Sequence, residues 1–150
     1  MRKLLLILCL AAFPAALAQT SGTGVGIIAG EPTGLCIKQW TSDRTALVGA
    51  LAWSFEHDGA LHVHGDFLLH NFNLFSGESS RVIFYYGVGG RMRFGEEGEE
   101  NVLGVRVPVG VIYPFSGDPI DIFLELVPIM DLVPETDFNA AGGIGARYFF

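Results

Sequence analysis

Apolar and polar or small side chains alternate with a period of two along most of the chain, and short turn-forming segments interrupt the alternation. In the segment LHVHGDFLLHNF, residues 61–72, Leu61, Val63 and Phe67 fall on one side, and His62, His64 and Asp66 fall on the other. Successive side chains of a β-strand point to opposite faces, so this pattern predicts strands. The predicted strands cover 24–29, 34–40, 45–55, 61–72, 82–94, 103–115, 120–132 and 138–150.

The segments between these strands are short and rich in Gly, Asp, Pro and Ser, which form turns for known backbone reasons. Eight strands joined by hairpin-length connections predict one antiparallel up-and-down sheet without internal linkers. Pro108 falls inside a predicted strand and removes a ladder hydrogen bond, so we expect a bulge or distortion there. The predicted turns cover 30–34, 41–44, 56–59, 75–80, 95–101, 116–119 and 134–137.

The first 18 residues have a different character. Arg2 and Lys3 precede an apolar run from Leu4 to Ala12, and Ala16-Leu17-Ala18 offers small residues for cleavage. This order predicts a secretory signal peptide over 1–18 and an exported domain over 19–150. The run is shorter than the roughly 20 residues that a membrane-spanning helix needs. A buried N-terminal helix is the alternative, but no amphipathic period supports it.

Composition and charge exclude some partners. Removing Arg2 and Lys3 from the 9 basic residues leaves 7 against 16 acidic residues, a formal charge of −9. Nucleic-acid binding selects for basic surfaces, so we expect no nucleic-acid partner. Cys36 is the one cysteine after residue 18, which leaves no internal disulfide.

The two faces of the sheet decide between a soluble barrel and a membrane barrel. One face is uniformly large and apolar, whereas the other holds small residues and a few nearly balanced charges. A water-facing surface would carry far more Lys, Glu, Thr and Gln, whereas a narrow eight-stranded barrel fills its interior with its own side chains. We therefore predict an all-β, eight-stranded antiparallel transmembrane barrel with lipid as its partner. The predicted interior polar residues are Lys38, His62, His64, Asp66, His70, Arg91, Arg93, Arg106, Asp121, Glu125, Asp131 and Arg147.

The chain ends on one outward row of Ile144, Ala146, Tyr148 and Phe150. Closure of a barrel pairs the first strand with the last, so a closing strand cannot fray. The row Ile144, Tyr148 and Phe150 resembles the C-terminal signal that the outer-membrane assembly machinery reads in bacterial barrel proteins. The resemblance implies that this machinery is a partner.

Four phrases are similar to a known group of proteins: GEPTGLCIKQW (30–40), LAWSFEHDG (51–59), GVRVPVGVIY (104–113) and FLELVPIMDLVPETDF (123–138). They resemble short outer-membrane β-barrel proteins of bacteria, of the small eight-stranded type. The resemblance covers nearly all of residues 19–150 and implies a barrel fold and a bacterial outer-membrane location. Because this group has no established activity, it implies no functional residues.

A row of histidines is the strongest candidate for metal chemistry. His62, His64 and Asp66 lie at alternate positions of one strand, about 6.6 Å apart, and His70 follows farther along it. Two imidazoles and a carboxylate can hold a metal. The favoured alternative is hydrogen bonding inside the barrel, because ligands on one strand form a line instead of converging. We therefore assign no metal and no cofactor.

Enzymatic activity finds little support. Ser54 ends the inward row beside the strand of His62, but a nucleophile needs a base within hydrogen-bond reach, and no G-x-S-x-G occurs. The glycine runs 87–90 and 142–145 lie in strands without the context of a nucleotide loop. GEEGEE (95–100) lacks the spaced ligands of a calcium loop.

We therefore expect a monomeric, non-enzymatic barrel that is too narrow for a general porin. Its expected role is structural, envelope-stabilising or surface-interacting. Two alternatives stay open: a soluble periplasmic or secreted barrel that binds an apolar ligand, and a barrel-type enzyme that modifies lipid.

Overall fold

The structure is a computed structural model that describes residues 21–54, 60–75, 81–95 and 98–150. The predicted signal peptide over 1–18 and the turn over 56–59 lie outside the described residues. Within these ranges the chain forms nine β-strands. They are β1 (Thr23–Glu31), β2 (Thr33–Trp40), β3 (Thr45–Ser54), β4 (Ala60–Asn71), β5 (Ile83–Phe94), β6 (Val102–Arg106), β7 (Val109–Pro114), β8 (Ile120–Val133) and β9 (Asp137–Phe149).

The strands close into a ring. Every paired strand is antiparallel to its neighbour, and β1 pairs with β2 on one side and with β9 on the other. Gly24 lies opposite Phe149, and Glu31 lies opposite Gly142, which joins the two ends of the sheet. The all-β antiparallel barrel predicted from the alternation is confirmed. Closure matters because an open sheet edge would leave a row of unpaired backbone groups.

Strands β6 and β7 together occupy one of eight positions around the ring. Both lie between β5 and β8. Residues 107 and 108 separate β6 from β7, but the register of pairing with β5 and with β8 is the same on both sides of this break. Val107 N–H donates to the Pro128 carbonyl at 3.0 Å, and Gly87 N–H donates to the Pro108 carbonyl at 2.9 Å. Pro108 has no N–H to donate, so the ladder is interrupted at the position where the sequence predicts a distortion.

The ring has two distinct ends. The start of β1, the end of β9, the end of β4, the start of β5 and the connections 41–44 and 115–119 lie at one end, which is called the termini end below. The turn 41–44 is held by Ser42, whose Oγ accepts hydrogen bonds from the N–H groups of Arg44 and Thr45 at 3.2 and 3.1 Å. The end of β1, the start of β2, the end of β8 and the start of β9 lie at the opposite end.

Large apolar side chains point outward. Leu51, Phe67 and Leu124 are 40%, 42% and 58% exposed, whereas Lys38 and Arg147 are 0% and 3% exposed. The alternation predicts this arrangement, which is the reverse of the usual distribution of apolar and charged side chains in water-soluble proteins. In the part of the chain that the structure describes, no helix is long and apolar enough to cross a membrane.

The interior is more apolar than the sequence analysis predicts. Tyr85, Phe123 and Phe149 are at most 3% exposed and share the interior with the charged residues. Phe123 lies directly opposite Gly145 on β9 and fills the space that this glycine leaves. The prediction of a polar interior therefore needs correction: glycine positions on one strand admit aromatic side chains from the next, and the core is mixed.

Candidate functional site

Among the described residues, the interior ion pairs form three groups, each built around an arginine. In the first, Arg147 and Asp121 lie opposite each other on β9 and β8. Arg147 Nε and Nη2 donate to the two carboxylate oxygens of Asp121 at 2.9 and 3.1 Å. The guanidinium carbon also lies 4.1 Å from the centre of the Phe123 ring. A two-point contact of this kind fixes both orientation and charge.

The second group joins strands that are not neighbours. Arg91 on β5 reaches past β6 and donates to both oxygens of Asp131 on β8, at 2.9 and 2.6 Å. Asn139 Nδ2 donates to Asp131 Oδ2 at 2.8 Å. One carboxylate therefore connects β5, β8 and β9 across the interior.

The third group places one guanidinium between two carboxylates. Arg106 Nε lies 2.8 Å from Asp66 Oδ1, in a close ion pair, and Arg106 Nη2 donates to Glu125 Oε1 at 3.2 Å. The Tyr85 hydroxyl donates to the other Glu125 oxygen at 2.6 Å. His64 Nε2 lies 3.9 Å from Asp66 Oδ2. These contacts cross the barrel near the middle of the strands.

Lys38 is fully buried among rings. Its Nζ lies 2.8 Å from His70 Nε2 and 4.2 Å from the centre of the Trp40 ring. His70 Nδ1 lies 3.0 Å from the Arg44 carbonyl oxygen, which can only accept, so Nδ1 carries the ring proton and Nε2 accepts from Lys38. Among the described residues, no carboxylate lies within 4.0 Å of Lys38 Nζ. The imidazole and the face of the indole ring therefore surround this amine.

Glycines on adjacent strands make room for these groups. Asp66 lies opposite Gly89, and a Cβ atom built on Gly89 would overlap the Asp66 carboxylate. The same relation holds for Asp131 with Gly104, Tyr85 with Gly110, and Arg147 with Gly26. These partners could not be predicted, because the alternation shows which glycines point inward but not which side chain each one faces.

The structure separates some residues that the sequence grouped. His70 contacts Lys38, whereas His64 lies near Asp66, so the predicted histidine row is divided between two clusters. His62 is buried at 4% exposure. Arg93 is only half-buried, and none of the ion pairs among the described residues includes it. Within the described ranges, no three His, Cys, Asp or Glu side chains are placed to hold a metal ion.

Trp40 and Asn139 belong to these groups, although neither is among the interior polar residues predicted from the sequence. Trp40 covers the Lys38 amine, and Asn139 binds Asp131. Both lie an even number of positions from a predicted interior residue, Trp40 from Lys38 and Asn139 from Arg147. The alternation therefore places both side chains in the interior. Ser54, considered as a nucleophile, donates a hydrogen bond from Oγ to the Glu31 carboxylate.

The C-terminal row lies on the outer face. Ile144, Tyr148 and Phe150 are 54%, 45% and 48% exposed, and the rings of Tyr148 and Phe150 touch edge to face at 5.3 Å. Phe150 N–H donates to the Thr23 carbonyl at 2.9 Å, so the last residue is bonded to the first strand. Phe149 points inward and is fully buried.

Comparisons with known proteins find the fold but no family. The structure is similar to the crystal structure of the N-terminal β-barrel domain of OprF from Pseudomonas aeruginosa, with a TM-score of 0.66 and 12% sequence identity. The similarity covers 87% of this chain and 98% of that chain. No model of a known protein family matches the sequence, and no curated protein matches it.

Proposed function

We propose that this protein is an integral β-barrel of the bacterial outer membrane, with its outer face against lipid hydrocarbon. One observation carries the proposal: 29 large hydrophobic residues of the described chain are exposed, while the arginines and carboxylates of the ion pairs lie inside. Soluble monomers rarely expose an apolar patch of more than a few hundred Å². A face this apolar on every side of the ring suits hydrocarbon and not water.

Strand length and the position of aromatic side chains support the same placement. β4, β5, β8 and β9 contain 12, 12, 14 and 13 residues, whereas a tilted membrane strand needs about 9–11. Trp53, Tyr113 and Phe138 are exposed near strand ends, where membrane barrels carry aromatic girdles.

The interior supports a structural role and not a general porin. Arg106, Asp66 and Glu125 cross the centre, and Tyr85 and Leu68 are at most 1% exposed there. An eight-stranded barrel has room for little beyond its own side chains. The same charges weigh against a soluble barrel with an apolar ligand inside, since such a ligand would face buried ion pairs. The proposed role is envelope-stabilising, or the presentation of the connecting loops for surface contact.

We also propose that the outward row of Ile144, Tyr148 and Phe150 is recognised by the barrel assembly machinery during insertion, and that the inserted barrel is a monomer. Support comes from the exposure of all three side chains on the closing strand. The aromatic side chains of the row are accessible, and the backbone of β9 pairs with β1 only when the barrel has closed.

Cell fractionation with gel mobility tests the membrane placement. The full chain is expected in the outer-membrane fraction, soluble only with detergent, and its unboiled form should migrate differently from its boiled form. Recovery in the periplasm without detergent, with no mobility shift, would contradict the proposal and favour the soluble barrel. Planar-bilayer recordings of the purified barrel should show no porin-like conductance steps.

A further inference from the structure

A small cavity lies at the rim of the barrel, at the termini end. Arg44 of the β2–β3 turn, residues 69–73 at the end of β4, and Tyr86 of β5 line it. Its volume is about 350 Å³, the lower end of the range for small-molecule sites. This cavity is called the rim pocket below.

The rim pocket lies where the outer wall changes from apolar to polar. Along the outward row of β4, Phe67 and Leu69 are followed by Asn71. Leu69 lies opposite Tyr86 on β5, and their side chains are 38% and 46% exposed. In the proposed membrane placement, this edge of the apolar wall is at the level of the lipid headgroups, where amphipathic tyrosine rings are enriched.

The polar lining of the rim pocket is rich in hydrogen-bond donors. Arg44 contributes a guanidinium with five N–H groups, and Asn71 and Asn73 contribute amides. Within the part of the chain that the structure describes, no Asp or Glu lines the pocket, and no carboxylate lies within 4.0 Å of the Arg44 side-chain nitrogens. A guanidinium without a carboxylate partner matches the geometry and charge of a phosphate group.

The backbone around the rim pocket is held in place before any ligand binds. His70 N–H donates to the Arg44 carbonyl at 2.8 Å, and His70 Nδ1 lies 3.0 Å from the same oxygen. Asn71 Oδ1 accepts hydrogen bonds from the N–H groups of Asn73 and Leu74 at 2.9 and 3.1 Å. The Asn71 oxygen is thereby used within the turn, and its amide N–H groups remain as donors. A fixed frame lowers the entropy lost on binding.

We propose that the rim pocket binds the phosphate headgroup of a membrane phospholipid. Arg44 and the two asparagine amides contact the phosphate oxygens, and Leu69 and Tyr86 contact the first carbons of the acyl chains. The volume fits a headgroup and not a whole lipid, whose chains continue along the apolar wall. This inference rests on the proposed membrane placement.

Binding measurements on the purified barrel in a neutral detergent test the inference. The probes are a short-chain phosphatidylglycerol, the matching short-chain diacylglycerol without phosphate, and inorganic phosphate. Arg44→Gln is expected to weaken phosphatidylglycerol binding by roughly tenfold or more, as expected for the loss of a hydrogen bond to a charged group. Asn73→Ala should weaken it less. Arg81→Gln removes the same charge from an exposed residue of the termini end that does not line the pocket, and it should change binding by less than about twofold.

The remaining outcomes decide between the possible sources of the phosphate. Diacylglycerol should bind equally to the wild type and to Arg44→Gln, because it offers no anion. Inorganic phosphate binding as tightly as phosphatidylglycerol would overturn the lipid assignment in favour of a free-anion site. Equal phosphatidylglycerol binding by the wild type and Arg44→Gln would overturn the inference altogether.

The heat-dependent gel shift separates this inference from the proposed function. A barrel that partitions into detergent and shows the shift, but binds lipid without dependence on Arg44, contradicts the rim-pocket site alone. A chain that shows no shift contradicts the membrane placement.

Discussion

Asp66 and Gly89 lie opposite each other on β4 and β5, and the Asp66 carboxylate occupies the space that a side chain at position 89 would fill. That carboxylate lies 2.8 Å from Arg106 Nε, so the absence of a side chain at Gly89 positions a charge at the centre of the barrel. Gly90, the next residue, points outward, and a Cβ there would meet only the Gly104 carbonyl oxygen at 3.7 Å. A side chain at position 89 would therefore overlap Asp66, whereas position 90 has room for one.

Gly89→Ala is expected to destabilise the barrel by about 1–3 kcal/mol, because the added methyl group overpacks the interior against Asp66. Gly90→Ala should leave stability within about 0.5 kcal/mol of the wild type, as for surface positions in general. Urea titration, with the heat-dependent gel shift as the measure of folding, gives both values. Equal losses in the two variants would show that the interior adjusts to the methyl group and that the close contact with Asp66 is unimportant.

The sequence predicted the faces of the strands, but it could not predict the partners inside the barrel. Alternation assigns Lys38 and His70 to the interior, yet the two lie on β2 and β4 with β3 between them, and their contact at 2.8 Å depends on how the strands are staggered. Arg91 and Asp131 likewise meet across β6. Strand stagger is set by the closure of the whole ring, which no local pattern contains.

The distortion at Pro108 was predictable because it has a local cause, the missing N–H of one residue. The half-burial of Arg93 was not, because it depends on where the closed ring ends. Arg93 is the second-to-last residue of β5, and the alternation that assigns it to the interior does not show how close it lies to the mouth.

Arg147→Met is expected to cost roughly 3–5 kcal/mol, the usual loss when one partner of a buried ion pair is removed. The variant leaves the Asp121 carboxylate buried at 2% exposure without its two hydrogen bonds. The double variant Arg147→Met with Asp121→Leu should recover most of this loss, because it removes both charges. Unfolding titrations of the two single variants and the double variant give the coupling energy. Additive losses, with no recovery, would show that the pair is not coupled.

Phe149 should affect the stability of the folded barrel, whereas Phe150 should affect its insertion into the outer membrane. Phe149 is fully buried and packs with Trp40 and Ala46, so Phe149→Ala is expected to lower stability by about 3–5 kcal/mol. Phe150 is 48% exposed on the outer face, so Phe150→Ala should change the stability of the refolded barrel little but reduce its yield in the outer membrane of cells. Refolding in detergent measures the first effect, and quantitative fractionation measures the second. A normal membrane yield for Phe150→Ala would contradict the proposed assembly signal.

An arginine on the outer face tests whether hydrocarbon surrounds the barrel. Leu126 lies in the middle part of β8 and is 62% exposed, whereas Phe138 is 76% exposed at the second position of β9. In a lipid bilayer, arginine on the outer face of a barrel costs about 2–4 kcal/mol at the midplane and about 0–1 kcal/mol near the edge. Leu126→Arg should therefore destabilise the barrel much more than Phe138→Arg in lipid vesicles. Water around the outer face would instead tolerate arginine equally well at both positions, so equal stability in the vesicles would remove the basis for the membrane placement.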